Sequence, residues 1–426
     1  MIATFSLAAG FLLASPPGDL LAIRVGQALT GADGTIEHAV ILVEDGKIVA
    51  IGEDLPIERG IPVLDRPDWV AMPGLVNPHS RIGLDSTGDG SFSPEVHVSR
   101  ELYARQDVYA EVLRAGVTTI GLFPVGTSIP GQAVAIRPHG ETKNEMVLED
   151  GVYLKIHLLS NSKSKKTLRE AFEKVAEHRE KVEKAREKWE KDEEKKKKKS
   201  KSKKDEQDQE NDKKDDDKKS DDEKEKEDEG PTEFVPPEPD PKVKPFIDLL
   251  EKRLSALMQI SKAGDYLHLL DVIEDEKIDW FLRVPLRNDI DLYEVKERIG
   301  ERELVVVVEP LTTLQPNTRR IRNLPAELDA AGAHVAFVPR SDDLRGHEQW
   351  VKNVGELLRD GLSRDAAVAA LTSNAAKVLG LEGRLGSLEV GKDANIVFWN
   401  GDPFQPGTEI QAVMLEGDLV HEEDDE

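Results

Sequence analysis

The chain has 426 residues, with 83 acidic against 58 basic side chains, a formal charge of -25, ten His and no Cys. Zero cysteine excludes disulfide scaffolds, thiol nucleophiles and Cys-ligated zinc or iron–sulfur sites. The acidic balance argues against wrapping duplex nucleic acid or lying on anionic lipid, since both require clustered positive potential.

The N-terminal run IATFSLAAGFLLAS has the length of a signal-peptide apolar region and is too short for a membrane span. With Ala14 and Ser15 as the cleavage position, residues 1–15 read as a signal peptide and the protein as exported or periplasmic. The first basic residue, Arg24, follows the run instead of preceding it, which keeps a cytoplasmic protein as the alternative. Short strands begin near residue 20: LLAIRVGQALTG leads into TIEHAVILVEDGKIVAIG, where Asp45-Gly46 between two apolar runs signals a two-residue hairpin. The segment VAMPGLVNPH reads as a strand, ELYARQDVYAEVLRAG as a helix, and TTIGLF and QAVAIR as further strands.

Residues 163–244 read as an insertion. It opens with a helix for which Thr167 and Glu170 form a capping-box pattern, and its Glu180/Lys184 and Glu187/Lys191 spacings are favourable i,i+4 pairs. Leu168, Phe172, Val175, Val182 and Trp189 recur near a 3.5-residue period that Arg179 and Arg186 interrupt. This reads as an exposed helix docked on its own domain, with a partner coiled coil as the competing reading. Of residues 191–230, 33 of 40 are charged and none is aliphatic or aromatic, so nothing there offsets the entropy of ordering, and disorder is expected. PTEFVPPEPDPKVKP then reads as an extended return linker.

After the insertion the pattern alternates. PFIDLLEKRLSALMQISKAG reads as a helix, WFLRVPL as a strand, DLYEVKERIG as a helix and ELVVVVEP as a strand. RRIRNLPAELDAAG reads as a helix, HVAFVP as a strand, and HEQWVKNVGELLRDG and SRDAAVAALTSNAAKVLG as helices. ANIVFWNGDPF and AVMLEGDLVHE close the chain, with a second hairpin turn at Glu416-Gly417. Near-continuous apolar strands between amphipathic helices imply a parallel sheet covered on both faces. Without the insertion about 230 residues remain from Val70 to Gly383, the length of a lean (β/α)8 barrel. The expected architecture is therefore an α/β protein: a TIM-type barrel over 70–162 and 245–384, and a small β domain composed from both chain ends, 20–69 and 385–424.

Two stretches carry a resemblance. VAMPGLVNPHSRIGL, residues 70–84, resembles the P-G-L-[IV]-D-x-H-x-H segment of the amidohydrolase superfamily, and LTSNAAKVLGLEGRLGSLEVGKDANIVFWNGDPF, residues 371–404, resembles that family's closing run. The likeness is to the imidazolonepropionase-like and dihydroorotase-like branches. It implies a metal-dependent hydrolase of non-peptide C–N bonds, in which divalent metal activates water and a strand-end Asp relays the proton.

Taken residue by residue, the implied site is degenerate. His79 matches the first His of the pair, but the second position is Arg81, whose guanidinium stays protonated and repels a cation, and the neighbouring Asp is Asn77. The family's bridging Lys falls in QAVAIRPHG or in the following LKIHLLSN, which contains Lys155. The middle strand WFLRVPLRNDI has Arg283 and no His; the next ends in Glu309-Pro310 in place of Glu-His. Where the catalytic Asp belongs stands Arg340, with Asp342 and Asp343 displaced. A lone imidazole does not hold zinc, so no cofactor is expected and His79 is the single ligand-type position left.

The reading is thus a non-catalytic binding or assembly protein. Arg81, Arg283 and Arg340, with Arg137 and Arg287, either pair with carboxylates such as Asp85, Asp289 or Glu309 or form a pocket for a small anion. The alternative is an active hydrolase with an altered zinc site built on His79, Glu309, Asp342 or Asp343; the cluster SDDLRGHEQW otherwise reads as a capped helix start. Ser80 lies beside His79 without a G-x-S-x-G context, and GDGSF lacks the Lys of a phosphate loop. Partners narrow to a small anionic ligand or a protein bound through 163–244, with no nucleic acid and no membrane span; homo-oligomerisation stays open.

Overall fold

The computed structural model describes residues 20–32, 34–85, 92–159, 161–210, 233–288 and 290–423. The export signal expected at 1–15 lies outside them, and among them no helix is long and apolar enough to cross a membrane. Contacts divide the chain into two compact units, one formed by residues 1–165 with 248–426 and the other by 166–247.

In the first unit the strands are β1 (Leu21–Leu29), β2 (Thr35–Glu37), β3 (Ala39–Glu44), β4 (Lys47–Glu53) and β5 (Val63–Pro73). The middle of the chain supplies β6 (Leu75–Ser80), β7 (Val117–Leu122), β8 (Ser128–Ile136), β9 (Val147–His157) and β10 (Ser255–Gln259). It continues with β11 (Trp280–Arg283), β12 (Val305–Val308), β13 (Thr313–Leu314), β14 (Ile321–Arg322) and β15 (His334–Phe337). The C-terminal strands are β16 (Ile396–Trp399), β17 (Ile410–Leu415) and β18 (Asp418–Glu422).

Both chain ends build one sheet, in the order β18-β17-β16-β5-β1-β3-β4 with β2 beside β1. The seam is β5 against β16, antiparallel, with Ile396 opposite Pro73 and Trp399 opposite Val70. Alternating apolar residues give the sheet its buried face, where Ile23, Ile41, Ile48, Phe398 and Met414 are 0% exposed. Both hairpin turns form where their dipeptides require. Asp45 and Gly46 have φ of 49° and 77°, Glu416 and Gly417 of 47° and 88°, the left-handed pair that matches the strand twist.

The other large sheet runs β15-β12-β11-β10-β9-β8-β7-β6 and curls into a nearly closed barrel. The helix Ser373–Val378 contacts both end strands, β6 and β15, which also approach each other. The barrel is mostly parallel, as expected, but β8 runs antiparallel to β7 and β9. Its reason is chain length: only residues 123–127 separate β7 from β8, too few for the helical crossover that a parallel step needs.

Two expected helices change. The helix expected over 245–264 is broken up: Lys244–Leu250 is helical, Ser255–Gln259 is a central strand paired on both sides, and a second helix begins at Ala263. An apolar run as short as SALMQ carries no period that separates strand from helix, and Lys252 leaves the helical region at φ 58°. Within RRIRNLPAELDAAG, Ile321–Arg322 pairs with Thr313–Leu314 as a ribbon, and the helix is confined to Leu324–Ala330, capped by Asn323.

The long helix spans Ser162–Glu210 and starts upstream of the expected Thr167 cap, with Asn161 Oδ1 accepting from Ser164 N at 2.8 Å. Within the second unit, Lys166–Glu170, Glu180–Lys184 and Glu187–Lys191 line its flank. Phe172 meets Phe246 edge to face at 5.5 Å, and Trp189 meets Phe234 at 6.0 Å. The helix runs past residue 191, where disorder was expected to begin; residues 211–230 of that tract lie outside the described residues.

Close packing of β7 on β6 positions the strand end considered next. A Cβ on Gly121 would stand 2.5 Å from the carbonyl oxygen of Pro78 and 2.6 Å from Leu379 Cδ2. Gly121→Ala is expected to lower stability by about 1–3 kcal/mol, measured as a reduced urea midpoint at unchanged m-value.

Candidate functional site

The strands of the barrel end in a ring of polar side chains, beginning with Asn77-Pro78-His79-Ser80-Arg81 at β6. Asn77 is fully buried; its Nδ2 donates to His347 Nε2 at 3.0 Å while its Oδ1 accepts from the His79 backbone N–H at 3.2 Å. An amide nitrogen only donates, so His347 Nε2 is the acceptor and Nδ1 carries the proton, directed at Asp343 O at 2.7 Å. Burial lowers the His347 pKa and favours this neutral tautomer.

His79 is 9% exposed and stacks face to face on Phe123, with ring centroids 3.7 Å apart and planes within 5°. Tyr153 on β9 donates its single hydroxyl proton to Pro78 O, so the 3.1 Å contact with His79 requires Nδ1–H as donor. Burial, reinforced by the positive charges of Lys155 and Arg283, holds the imidazole well below its ordinary pKa.

Each carboxylate of the expected set is engaged by protein donors. Asp342 accepts from Ser80 Oγ at 2.5 Å and from the Arg81 backbone N–H at 2.6 Å, one bond on each oxygen. Glu309 pairs with both terminal nitrogens of Arg283 and accepts from the Leu286 backbone N–H at 2.8 Å. Asp343 caps the helix Leu344–Glu348, accepting from Gly346 N at 2.7 Å and from Ser341 Oγ at 2.5 Å, and these bonds lower its pKa.

The arginines do not all converge. Arg81 donates to Phe123 O at 2.7 Å and lies 3.6 Å from Glu101. Arg340 points away, to Pro310 O and Glu356, and Arg137 pairs with Glu416 in the composite sheet. Arg287 is exposed, and Asp289 lies outside the described residues. Arg81 and Arg283 instead act together on Lys155 of β9, which is 5% exposed and has its Nζ 3.9 Å from the Phe123 ring centroid. Burial, then Arg81 and Arg283, push the Lys155 pKa down to about 7.

Comparison with known proteins places this arrangement. Residues 327–421 match the amidohydrolase family. An amidohydrolase from Thermotoga maritima superposes with a TM-score of 0.72 at 22% identity, covering 95% of this chain and 100% of that one. This is the amidohydrolase-superfamily fold. A prolidase complexed with N-methylphosphonate-L-proline gives 0.51 at 14% identity over 95% and 100%. Atrazine chlorohydrolase from Arthrobacter aurescens, complexed with zinc, gives 0.50 at 15% over 94% and 95%. No curated protein matches the sequence. The resemblance carried by residues 70–84 and 371–404 is thus borne out, in the fold across the chain and in the family match at its C-terminal end.

The amidohydrolase-superfamily fold implies a metal at this end of the barrel, and the residues present do not fit one. Arg81 brings positive charge to the second ligand position, and the oxygens of Asp342 and Glu309 are committed to Ser80, Arg81, Arg283 and Leu286. Among the described residues no three His, Asp or Glu side chains gather as a metal site. Tyr153 and the His347–Asn77 pair escaped the sequence reading. The available signal was polarity in apolar surroundings: GVYLKIHLL places Tyr153, Lys155 and His157 on one face of a buried strand.

Lys155 gives a proton-linked prediction. The unfolded chain holds its proton near pH 10.5 while the folded chain loses it at about 7, so stability rises across that window and the full burial cost applies below it. Lys155→Met is therefore expected to stabilise the protein at pH 6, by an amount on the order of a few kcal/mol, and much less at pH 10. Chemical denaturation at the two pH values checks the difference.

Proposed function

We propose that the protein is a non-catalytic member of the amidohydrolase fold group that binds a small anion, a carboxylate or a phosphate, at the barrel mouth. One observation carries the reading: the acidic groups where metal chemistry would be seated are instead tied to protein donors. Glu309, in particular, pairs with a buried arginine; the two side chains are 14% and 9% exposed. Arg81, Arg283 and Lys155 around the stacked His79 and Phe123 supply the positive potential that draws an anion. The insertion is a separate candidate for protein contacts, supported only by its charge pattern and helix.

Metal analysis of the protein expressed with zinc, manganese and iron supplied is expected to show far less than one ion per chain. Amides and cyclic amides should remain unhydrolysed, and His79→Ala should change nothing in that assay. Stoichiometric metal with metal-dependent C–N hydrolysis would overturn the proposal. Glu309 separates the readings further. As a structural counter-ion, its replacement by Ala leaves Arg283 buried and unpaired and is expected to cost about 3–5 kcal/mol of stability; as a catalytic group, it would cost activity and leave the unfolding midpoint in place.

A further inference from the structure

Among the described residues, Lys155 is the one member of the cluster with no compensating anion. Arg283 has Glu309 and Arg81 approaches Glu101, whereas Lys155, among the described residues, forms no ion pair and touches the face of Phe123. The charges that act on it most are both positive, Arg81 and Arg283. His79 and Tyr153 below it are neutral and bonded to each other, and His157 above it is held below its usual pKa by burial and by Lys155 itself. A methionine would fill this position without the cost of an unpaired amine.

Access follows from the strand. On β9, Tyr153, Lys155 and His157 share one face; Tyr153 is 0% exposed, Lys155 5%, and His157 partly exposed. Lys155 therefore stands one step inside the rim. Across β10, Leu257 lies opposite Lys155 and Gln259 opposite His157, and Arg283 is in register with Gln259 on the next strand. Arg283 thus lies two strands from β9, level with His157 and one step nearer the strand ends than Lys155. A desolvated lysine beside other cations is the setting in which an amine acts as a nucleophile toward carbonyl carbon.

We propose that Lys155 captures small carbonyl acids covalently, as an imine between its Nζ and the aldehyde or 2-oxo carbon, with the acid's carboxylate held in the field of Arg81 and Arg283. The inference rests on the anion-binding reading above and names the chemical class of its ligand. The step balances without an oxidant. The Nζ lone pair forms the C–N bond as the carbonyl π pair moves to oxygen. The former amine protons pass to that oxygen, which departs as water, so amine plus carbonyl gives imine plus one water. The reaction is reversible.

The test uses the full chain, glyoxylate at pH 7.5 and cyanoborohydride, which reduces an imine to a stable secondary amine, followed by peptide mapping. Lys155 is expected to label at least about tenfold faster than exposed lysines, whose ordinary pKa leaves them almost wholly protonated at this pH. Its labelling should level off above pH 8, whereas that of surface lysines keeps climbing toward pH 10. Arg81→Gln should slow capture of glyoxylate more than capture of the uncharged glycolaldehyde. Lys155→Met should abolish the fast adduct; Lys155→Arg, which keeps the cation and forms no imine, gives the same result should the methionine variant fold poorly. Labelling of Lys155 no faster than the surface average, or a fast adduct that survives both variants, overturns the inference. The two proposals fail separately: stoichiometric metal defeats the non-catalytic reading, while a metal-free protein without the adduct defeats only this one.

Discussion

Asp342 ties the end of β6 to the segment that follows β15. The barrel sheet begins and ends on those two strands, and the carboxylate spans them with one bond to the Ser80 hydroxyl and one to the Arg81 backbone. Bonds to a charged acceptor are stronger than neutral ones, and this pair sits where the backbone ladder is interrupted. Much of the site follows from it. With the β6 terminus fixed, Asn77 reaches His347, His79 lies flat on Phe123, and Arg81 turns toward Phe123 O and Glu101. Each oxygen of this carboxylate is thus already engaged by a protein donor.

The same economy governs Arg283. Its guanidinium bonds the carbonyls of Val284 and Val307 as well as Glu309, so one buried cation braces the ends of β11 and β12. Buried ion pairs add little net stability relative to apolar packing, but losing one partner is costly because the other charge remains. The mouth is therefore built from groups that constrain one another, with the Lys155 amine as the exception.

Much of this was legible in the sequence. Asp-Gly and Glu-Gly between alternating runs gave the two hairpins, because the Gly at the second position takes the left-handed conformation that such turns require at no steric cost. Sheet strands from both chain ends were readable from their short alternating runs, whereas the reading of Arg81 as standing at a ligand position came from the resemblance, with the guanidinium charge as its physical argument. What was hidden depended on tertiary partners. SALMQ is a strand because β9 and β11 flank it, and β8 turns back because its connection is short, which apolar content does not reveal. Asp342 and Asp343 look equivalent in SDDLRGHEQW, yet one closes the barrel and the other caps a helix. Lys155 was visible as a residue, but its depressed basicity comes from burial beside two arginines that lie 74 positions before and 128 after it in the chain.

The β5–β16 seam has a consequence for how the chain is made. Residues 70–73 find their antiparallel neighbour only at 396–399, so the first five strands are made with that edge unpaired until most of the polypeptide has followed. Pairing at that separation carries a large loop-closure cost and is slow, and an apolar strand edge left open in the meantime invites association with other chains. The seam of the composite sheet can thus close only once residues 396–399 have been made.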